Sequence, residues 1–229
     1  HTPETITISG AKTWDDGENQ DGKRPESITI RLYANGTELK DKAQTVTKDN
    51  GWAWSFTNLP KYENGVQINY TISEDTVADY TTKVNNYDVT NSYQPGKTSV
   101  GVTKSWQDNN NQDGIRPESI TVKLLANGKD TGKTLTLSKG NSWTGTFSDL
   151  DEYKDGEKIV YTIEEVNVNG YDTVITGEAS TGYTITNSHT PETITISGAK
   201  TWDDGDNQDG KRPESITIRL YANGTELKD

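Results

Sequence analysis

Three polar residues stand where a strand pattern calls for aliphatic ones. Side chains alternate faces along a β-strand, so residues of one parity share the core side. In the run Ile6, Ile8, Gly10, Lys12, Trp14 the core side takes a lysine. In Ile68, Tyr70, Ile72, Glu74 it takes a glutamate, and in Tyr87, Val89, Asn91 an asparagine. The same set recurs further along the chain. It comprises Val100, Val102, Lys104, Trp106, then Ile159, Tyr161, Ile163, Glu165, then Tyr183, Ile185, Asn187, with Glu164 left facing out. A β-bulge would spoil one such assignment but not six in one direction.

Two chemistries fit a Lys, a Glu and an Asn on apolar faces. Buried charges are costly unless paired, so one is an internal Lys–Glu salt bridge with Asn as hydrogen-bond partner. The other is covalent. Desolvation lowers a lysine pKa towards a neutral, nucleophilic amine and raises that of a glutamate towards a proton donor. A protonated Glu would polarise the Asn carboxamide, Lys would attack its carbon, and ammonia would leave. Opposed shifts in neighbouring groups are the pattern from which acid–base roles are assigned, although structural ion pairs produce them too.

Strands must position these residues, and repeats organise the strands. Residues 189–229 repeat residues 1–41 with a single change, Glu18 to Asp206. A more diverged repeat lies inside that period: Lys12-Thr-Trp and Asn19-Gln-Asp-Gly-Lys-Arg-Pro-Glu-Ser-Ile-Thr-Ile match Lys104-Ser-Trp and Asn111-Gln-Asp-Gly-Ile-Arg-Pro-Glu-Ser-Ile-Thr-Val. Tyr70-Thr-Ile-Ser-Glu74 matches Tyr161-Thr-Ile-Glu-Glu165, and Val89-Thr-Asn91-Ser matches Ile185-Thr-Asn187-Ser. The expected organisation is one domain over 1–94, a second over 95–188, and over 189–229 the N-terminal part of a third. Gln94-Pro95-Gly96 forms the joint. Ile28, Ile30 and Leu32 alternate with polar residues before an Asn35-Gly36 turn, as Ile120, Val122 and Leu124 do before Asn127-Gly128. Short alternating strands with such turns predict an all-β fold of tandem antiparallel β-sandwiches.

Composition narrows the function classes. The chain has 229 residues, 29% hydrophobic, and a net charge of −12, with a mean hydropathy of −0.90. Disordered chains share that polarity, but six Trp and eleven Tyr supply large buried areas. Thin cores of this kind call for a staple, and with no Cys it is not a disulfide. Without any Met the chain reads as a piece of something longer. No apolar run has the length of a membrane span, and an acidic chain without basic clusters suits neither nucleic acid nor anionic membranes. Two histidines and no cysteine leave serine-triad, cysteine-protease and zinc chemistries almost no material. No cofactor is expected, and no enzymatic turnover.

The combination Lys-x-Trp, the Asn-Gln-Asp-Gly-x-Arg-Pro-Glu-Ser-Ile-Thr run, Tyr-Thr-Ile-x-Glu and a final Thr-Asn-Ser resembles the collagen-adhesin B-type (CnaB) domains of Gram-positive surface proteins. The resemblance covers both whole domains and the partial third. It implies an inverse immunoglobulin-like sandwich with an isopeptide bond between first and last strands, Lys12 to Asn91 with Glu74 assisting and Lys104 to Asn187 with Glu165 assisting. It also implies a stalk repeat of a cell-wall-anchored surface protein, whose partners are neighbouring repeats and whose matrix ligand is bound by another region. A module that binds a host protein or glycan directly is the alternative. Lys to Asn closes a loop of roughly 80 residues, for which a cross-link stabilises by roughly 4–5 kcal/mol.

Other signals carry less. The acidic loop Asp15–Gly22 invites a calcium reading, but aligning Gly22 with an EF-hand glycine puts Gly17 at the first ligand position. Trp52, Trp54 and Phe56 would suit a sugar platform or an aromatic core stripe, and His1 and His189 fall at domain joints. In 189–229 the chain carries Lys200, the counterpart of Lys12, without a counterpart of Glu74 or Asn91. Lys200 is therefore an unpaired cross-link lysine, and its segment is expected to compete with 1–41 by strand exchange.

Overall fold

The computed structural model describes residues 2–228. Residues up to 191 form one compact unit and those from 192 a second. The first unit contains two β-sandwiches, each with its own hydrophobic cluster. Besides the sandwich strands it has the short strand Thr37–Glu38, the small hairpins Tyr62–Glu63 with Val66–Gln67 and Tyr153–Lys154 with Glu157–Lys158, and one-turn 3-10 segments at Lys40–Lys42, Lys48–Asn50 and Lys139–Asn141.

The first sandwich is built from β1 (Thr5–Asp15), β2 (Ser27–Ala34), β3 (Gln44–Thr47), β4 (Ala53–Pro60), β5 (Tyr70–Glu74), β6 (Thr81–Asn85) and β7 (Asp88–Ser92). One sheet has the order β4-β1-β7-β6, and in the other β2 pairs with both β3 and β5. The second sandwich repeats this with β8 (Lys97–Gln107), β9 (Ser119–Ala126), β10 (Lys129–Ser138), β11 (Thr144–Asp151), β12 (Tyr161–Glu165), β13 (Asp172–Glu178) and β14 (Gly182–Ser188). Its sheets run β11-β8-β14-β13 and β10-β9-β12. First and last strands are parallel neighbours in both, β1 with β7 and β8 with β14. The turn residues Asn35 and Gly36 have φ of 50° and 81°, and Asn127 and Gly128 have 50° and 75°. Those left-handed values suit the tight hairpins read from the sequence.

Bulges occur, but not on the strands whose parity matters. Between the pairs Ile6–Leu59 and Ile8–Phe56 the extra residue lies on β4, where Asn58 takes a φ of 56°. The second sandwich has its shift between Thr98–Leu150 and Val100–Phe147, with Asp149 at 55°. Alternation along β1 and β8 therefore continues unbroken to Lys12 and Lys104.

The sequence reading had no strand between the run ending at Glu74 and the one ending at Asn91, or between those ending at Glu165 and Asn187. A further strand intervenes in each case, β6 and β13. All of its residues are exposed, so it has no alternation to read.

The two cores solve one steric problem in opposite ways. Gly10 pairs with Trp54 across β1 and β4, and a Cβ at Gly10 would come within 2.8 Å of the Trp54 ring and 1.6 Å of the Tyr87 carbonyl oxygen. In the second sandwich the bulk changes sides, and Val102 pairs with Gly145. Trp54 and Phe56 are buried, which spends them on the core rather than on a sugar platform.

Gln94-Pro95-Gly96 does not hang free between the sandwiches. Asp21 Oδ2 accepts from the Tyr93 hydroxyl and the Gly96 amide, both at 2.8 Å. The Gly156 amide in turn donates to the Gln20 carbonyl at 2.9 Å.

In the second unit the hairpin Leu220–Ala222 with Thr225–Leu227 is retained around Asn223-Gly224. Ile196 and Ile218, counterparts of core residues Ile8 and Ile30, are exposed.

Candidate cross-linking site

Each sandwich brings its three predicted polar residues into one buried cluster by a simple register. Lys12 pairs with Val89 and Trp14 with Asn91, so Lys12 and Asn91 lie on the same inward face of adjoining strands, two residues apart. In the second sandwich Lys104 pairs with Ile185 and Trp106 with Asn187. The glutamate comes from the opposite sheet, since Glu74 on β5 pairs with Ile30 and Glu165 on β12 with Val122. The grouping thus spans the core.

In the first sandwich Lys12 Nζ donates to Glu74 Oε1 at 2.5 Å, and both side chains are fully shielded from solvent. In the second, Lys104 Nζ lies 3.6 Å from Glu165 Oε1, and Asn187 Nδ2 donates to that same oxygen at 3.3 Å. Asn91 and Asn187 are completely buried. Neither amide atom of Asn91 has a hydrogen-bond partner, nor has Asn187 Oδ1. Leaving a buried amide group unpaired costs about 1–3 kcal/mol. Asn91 is therefore not serving as the hydrogen-bond partner of a salt bridge.

Burial lowers the Lys12 pKa, with Glu74 opposing the shift. For Lys104 burial dominates and the pKa falls to about 8, with Glu165 opposing and the nearby Arg116 charge assisting. Each amine also sits over an indole, Lys12 Nζ at 4.4 Å from the Trp14 ring centroid and Lys104 Nζ at 4.0 Å from that of Trp106.

Sequence reading missed the support beneath the indoles. Asp16 receives Arg24 Nε and Nη2 at 2.7 and 2.6 Å and the Tyr80 hydroxyl at 2.8 Å. Asp108 is held in the same way by Arg116 and Tyr171. Burial pushes the Asp16 carboxyl up, but its bonds to Arg24 and Tyr80 outweigh burial and hold it below the usual range. Asp108 is likewise lowered, chiefly by Arg116. The signal was available, because Asp16/Arg24, Asp108/Arg116 and Asp204/Arg212 recur at one spacing. Those bonds engage the acidic loop in a turn, and no group of three metal-ligating side chains gathers among the described residues.

Lys200 is exposed, with Nζ 4.3 Å from the Trp202 centroid. His189 is tied by Nε2 to Asp113 Oδ2 at 2.9 Å and by Nδ1 to the Gly170 carbonyl at 3.0 Å. His1 lies outside the described residues.

Fold and site together define a tandem array of β-sandwich domains with paired terminal strands and a Lys–Glu–Asn grouping buried between the sheets. The chain belongs to the Cna protein B-type domain family, which matches residues 8–92, 100–188 and 196–229. It is 51% identical over 229 residues to a collagen adhesin of Staphylococcus aureus, spanning 19% of that relative's length. The crystal structure of two B repeat units of the S. aureus collagen-binding protein is similar to it at 49% identity. That likeness has a TM-score of 0.54, over 98% of this chain and 60% of the other. A single B repeat unit of the same collagen-binding surface protein is 48% identical, with a TM-score of 0.41, over 82% of this chain and 100% of the other.

Proposed function

We propose that each sandwich cross-links itself once, through an amide bond from Lys12 to Asn91 and from Lys104 to Asn187, and that the array serves as an extracellular stalk. The observation that carries the reading is the placement in one shielded cluster, twice, of an amine, a carboxyl and a carboxamide whose oxygen has no hydrogen-bond partner. Glu74 and Glu165 supply the proton traffic. A proton passes from Lys Nζ to the carboxylate, the neutral amine attacks Asn Cγ, the carboxyl proton leaves with Nδ2 as ammonia, and the carboxylate takes up the proton that the attacking nitrogen sheds. One C–N bond forms and one breaks, so no oxidant or cofactor enters. In the second sandwich a half-turn of the Asn187 amide would bring Oδ1 to accept from protonated Glu165. No turnover follows, because the nucleophile is consumed.

Parallel pairing of first and last strands makes the bond a covalent path between the ends of each sandwich, which suits a load-bearing stalk on a bacterial surface. The matrix ligand belongs to another region of the parent protein, and neighbouring repeats are the direct partners. Residues 192–228 would complete a sandwich with a segment like 42–94, from the same chain or by strand exchange from another copy.

Intact mass measurement tests the chemistry. Two bonds remove two ammonia molecules from the calculated mass, and Lys12→Ala with Lys104→Ala restores it. A wild-type chain of unmodified mass, or a loss that survives both substitutions, overturns the proposal.

A further inference from the structure

The carboxylates of the grouping have two oxygens, and only one faces the amine. Glu74 Oε2 accepts a hydrogen bond from the Thr82 hydroxyl at 3.0 Å, and Glu165 Oε2 accepts one from Thr173 at 2.7 Å. Both threonines lie on the edge strands β6 and β13. Each sits directly opposite the reacting asparagine, Thr82 across from Asn91 and Thr173 across from Asn187. These strands expose every residue, yet the two hydroxyls reach back to a carboxylate that is otherwise shielded.

We infer that Thr82 and Thr173 are positioning residues for bond formation, holding one carboxylate oxygen so that the other stays aimed at lysine and asparagine. The inference rests on the cross-linking reading above. A carboxylate bound at one oxygen by an amine alone can rotate about its last torsion, which is broad for glutamate. Pinning Oε2 fixes the carboxylate plane. Oε1 then faces Lys12 Nζ in the first sandwich, and Lys104 Nζ with the Asn187 amide in the second. Proton transfer depends steeply on such alignment, and displacing a reacting group by an ångström costs about 100-fold. Thr acts through Glu, so losing the hydroxyl is a partial misplacement.

The test compares Thr173→Val with Thr173→Ser in the full chain. Freshly synthesised protein is quenched in acid at timed intervals, and loss of ammonia is located in peptides from each sandwich. Valine keeps the shape and the β-branch but lacks the hydroxyl, whereas serine keeps the hydroxyl and loses the branch. A positioning hydroxyl predicts that Val slows the Lys104–Asn187 bond by about 10-fold, short of full misplacement, while Ser stays close to wild type. A role in strand packing predicts the reverse order, because β-branched residues favour strands. The untouched first sandwich, cross-linking at its wild-type rate, shows that the chain is properly made. Equal rates for all three proteins, or Ser slower than Val, overturn the inference and leave the cross-linking reading intact. A wild-type chain that never loses ammonia overturns the cross-linking reading itself.

Discussion

Proton count governs the reactive residues more directly than charge does. The proposed step needs a neutral Lys104 and a protonated Glu165, which together hold the same number of protons as the ion pair Lys104⁺–Glu165⁻. Burial lowers the Lys104 pKa to about 8, so above that pH one of those protons is lost. The rate of bond formation in the second sandwich should therefore be level through neutral pH and fall as pH rises past about 8. A timed-quench series of intact masses from pH 6 to pH 10 checks this. A rate that climbs through the same window would show that Glu165 acts only as a base on an already neutral amine. Lysine, glutamate and asparagine were legible in the sequence because each breaks an apolar alternation on a strand whose register is undisturbed. Thr82 and Thr173 were not, because a threonine on a wholly exposed edge strand is unremarkable until the carboxylate it touches is known.

At the scale of elements, the cross-link depends on a pairing that periodicity alone cannot supply. Alternation identified β1, β2, β5 and β7 and their buried faces. It could not show that β1 and β7 run parallel and adjacent, because pairing is decided by packing across the two sheets. The family resemblance implied a bond between first and last strands, but their parallel pairing appears only in the structure. Strands β6 and β13 escaped for a related reason, since they bury no side chain and are held by backbone pairing to β7 and β14. The bulges at Asn58 and Asp149 were equally silent, but they fall on β4 and β11 and so left the lysine strands in phase. Closing a loop of roughly 80 residues should give each sandwich roughly 4–5 kcal/mol beyond its core. Asn187→Ala leaves Lys104 paired with Glu165 but removes the bond. Denaturant unfolding followed by Trp fluorescence should then show the second sandwich losing about that much while the first is unchanged. A shift below about 1 kcal/mol, within what one buried hydrogen bond contributes, would mean that the bond carries little of the fold.

Over the whole molecule, one loop is used at the end of each sandwich with different chemistry. The residue that follows β7 is Tyr93, and its hydroxyl donates to Asp21. The residue that follows β14 is His189, and its ring bonds Asp113 at the equivalent position of the loop. The Tyr93 pKa is pushed up to about 12, by its bond to Asp21 first, so that tie is constant across physiological pH. His189 behaves otherwise, because the bond to Asp113 raises its pKa above the ordinary 6.5 and outweighs desolvation, with Gly170 and Asp108 assisting. A raised histidine pKa contributes stability that is fully present below the unfolded value and is lost as pH rises through the folded one. The end of the second sandwich should therefore be held more firmly at pH 5.5 than at pH 8, while the Tyr93 joint keeps its strength. Two-dimensional NMR of the imidazole checks this. The His189 ring should titrate above 6.5 in the wild-type chain and move down in Asp113→Asn. Amide exchange at Ser188 and His189 should speed up between pH 6 and pH 8, after correction for intrinsic rates, by more than at Ser92 and Tyr93. An unchanged His189 titration in Asp113→Asn would assign the raised value to the Gly170 carbonyl instead.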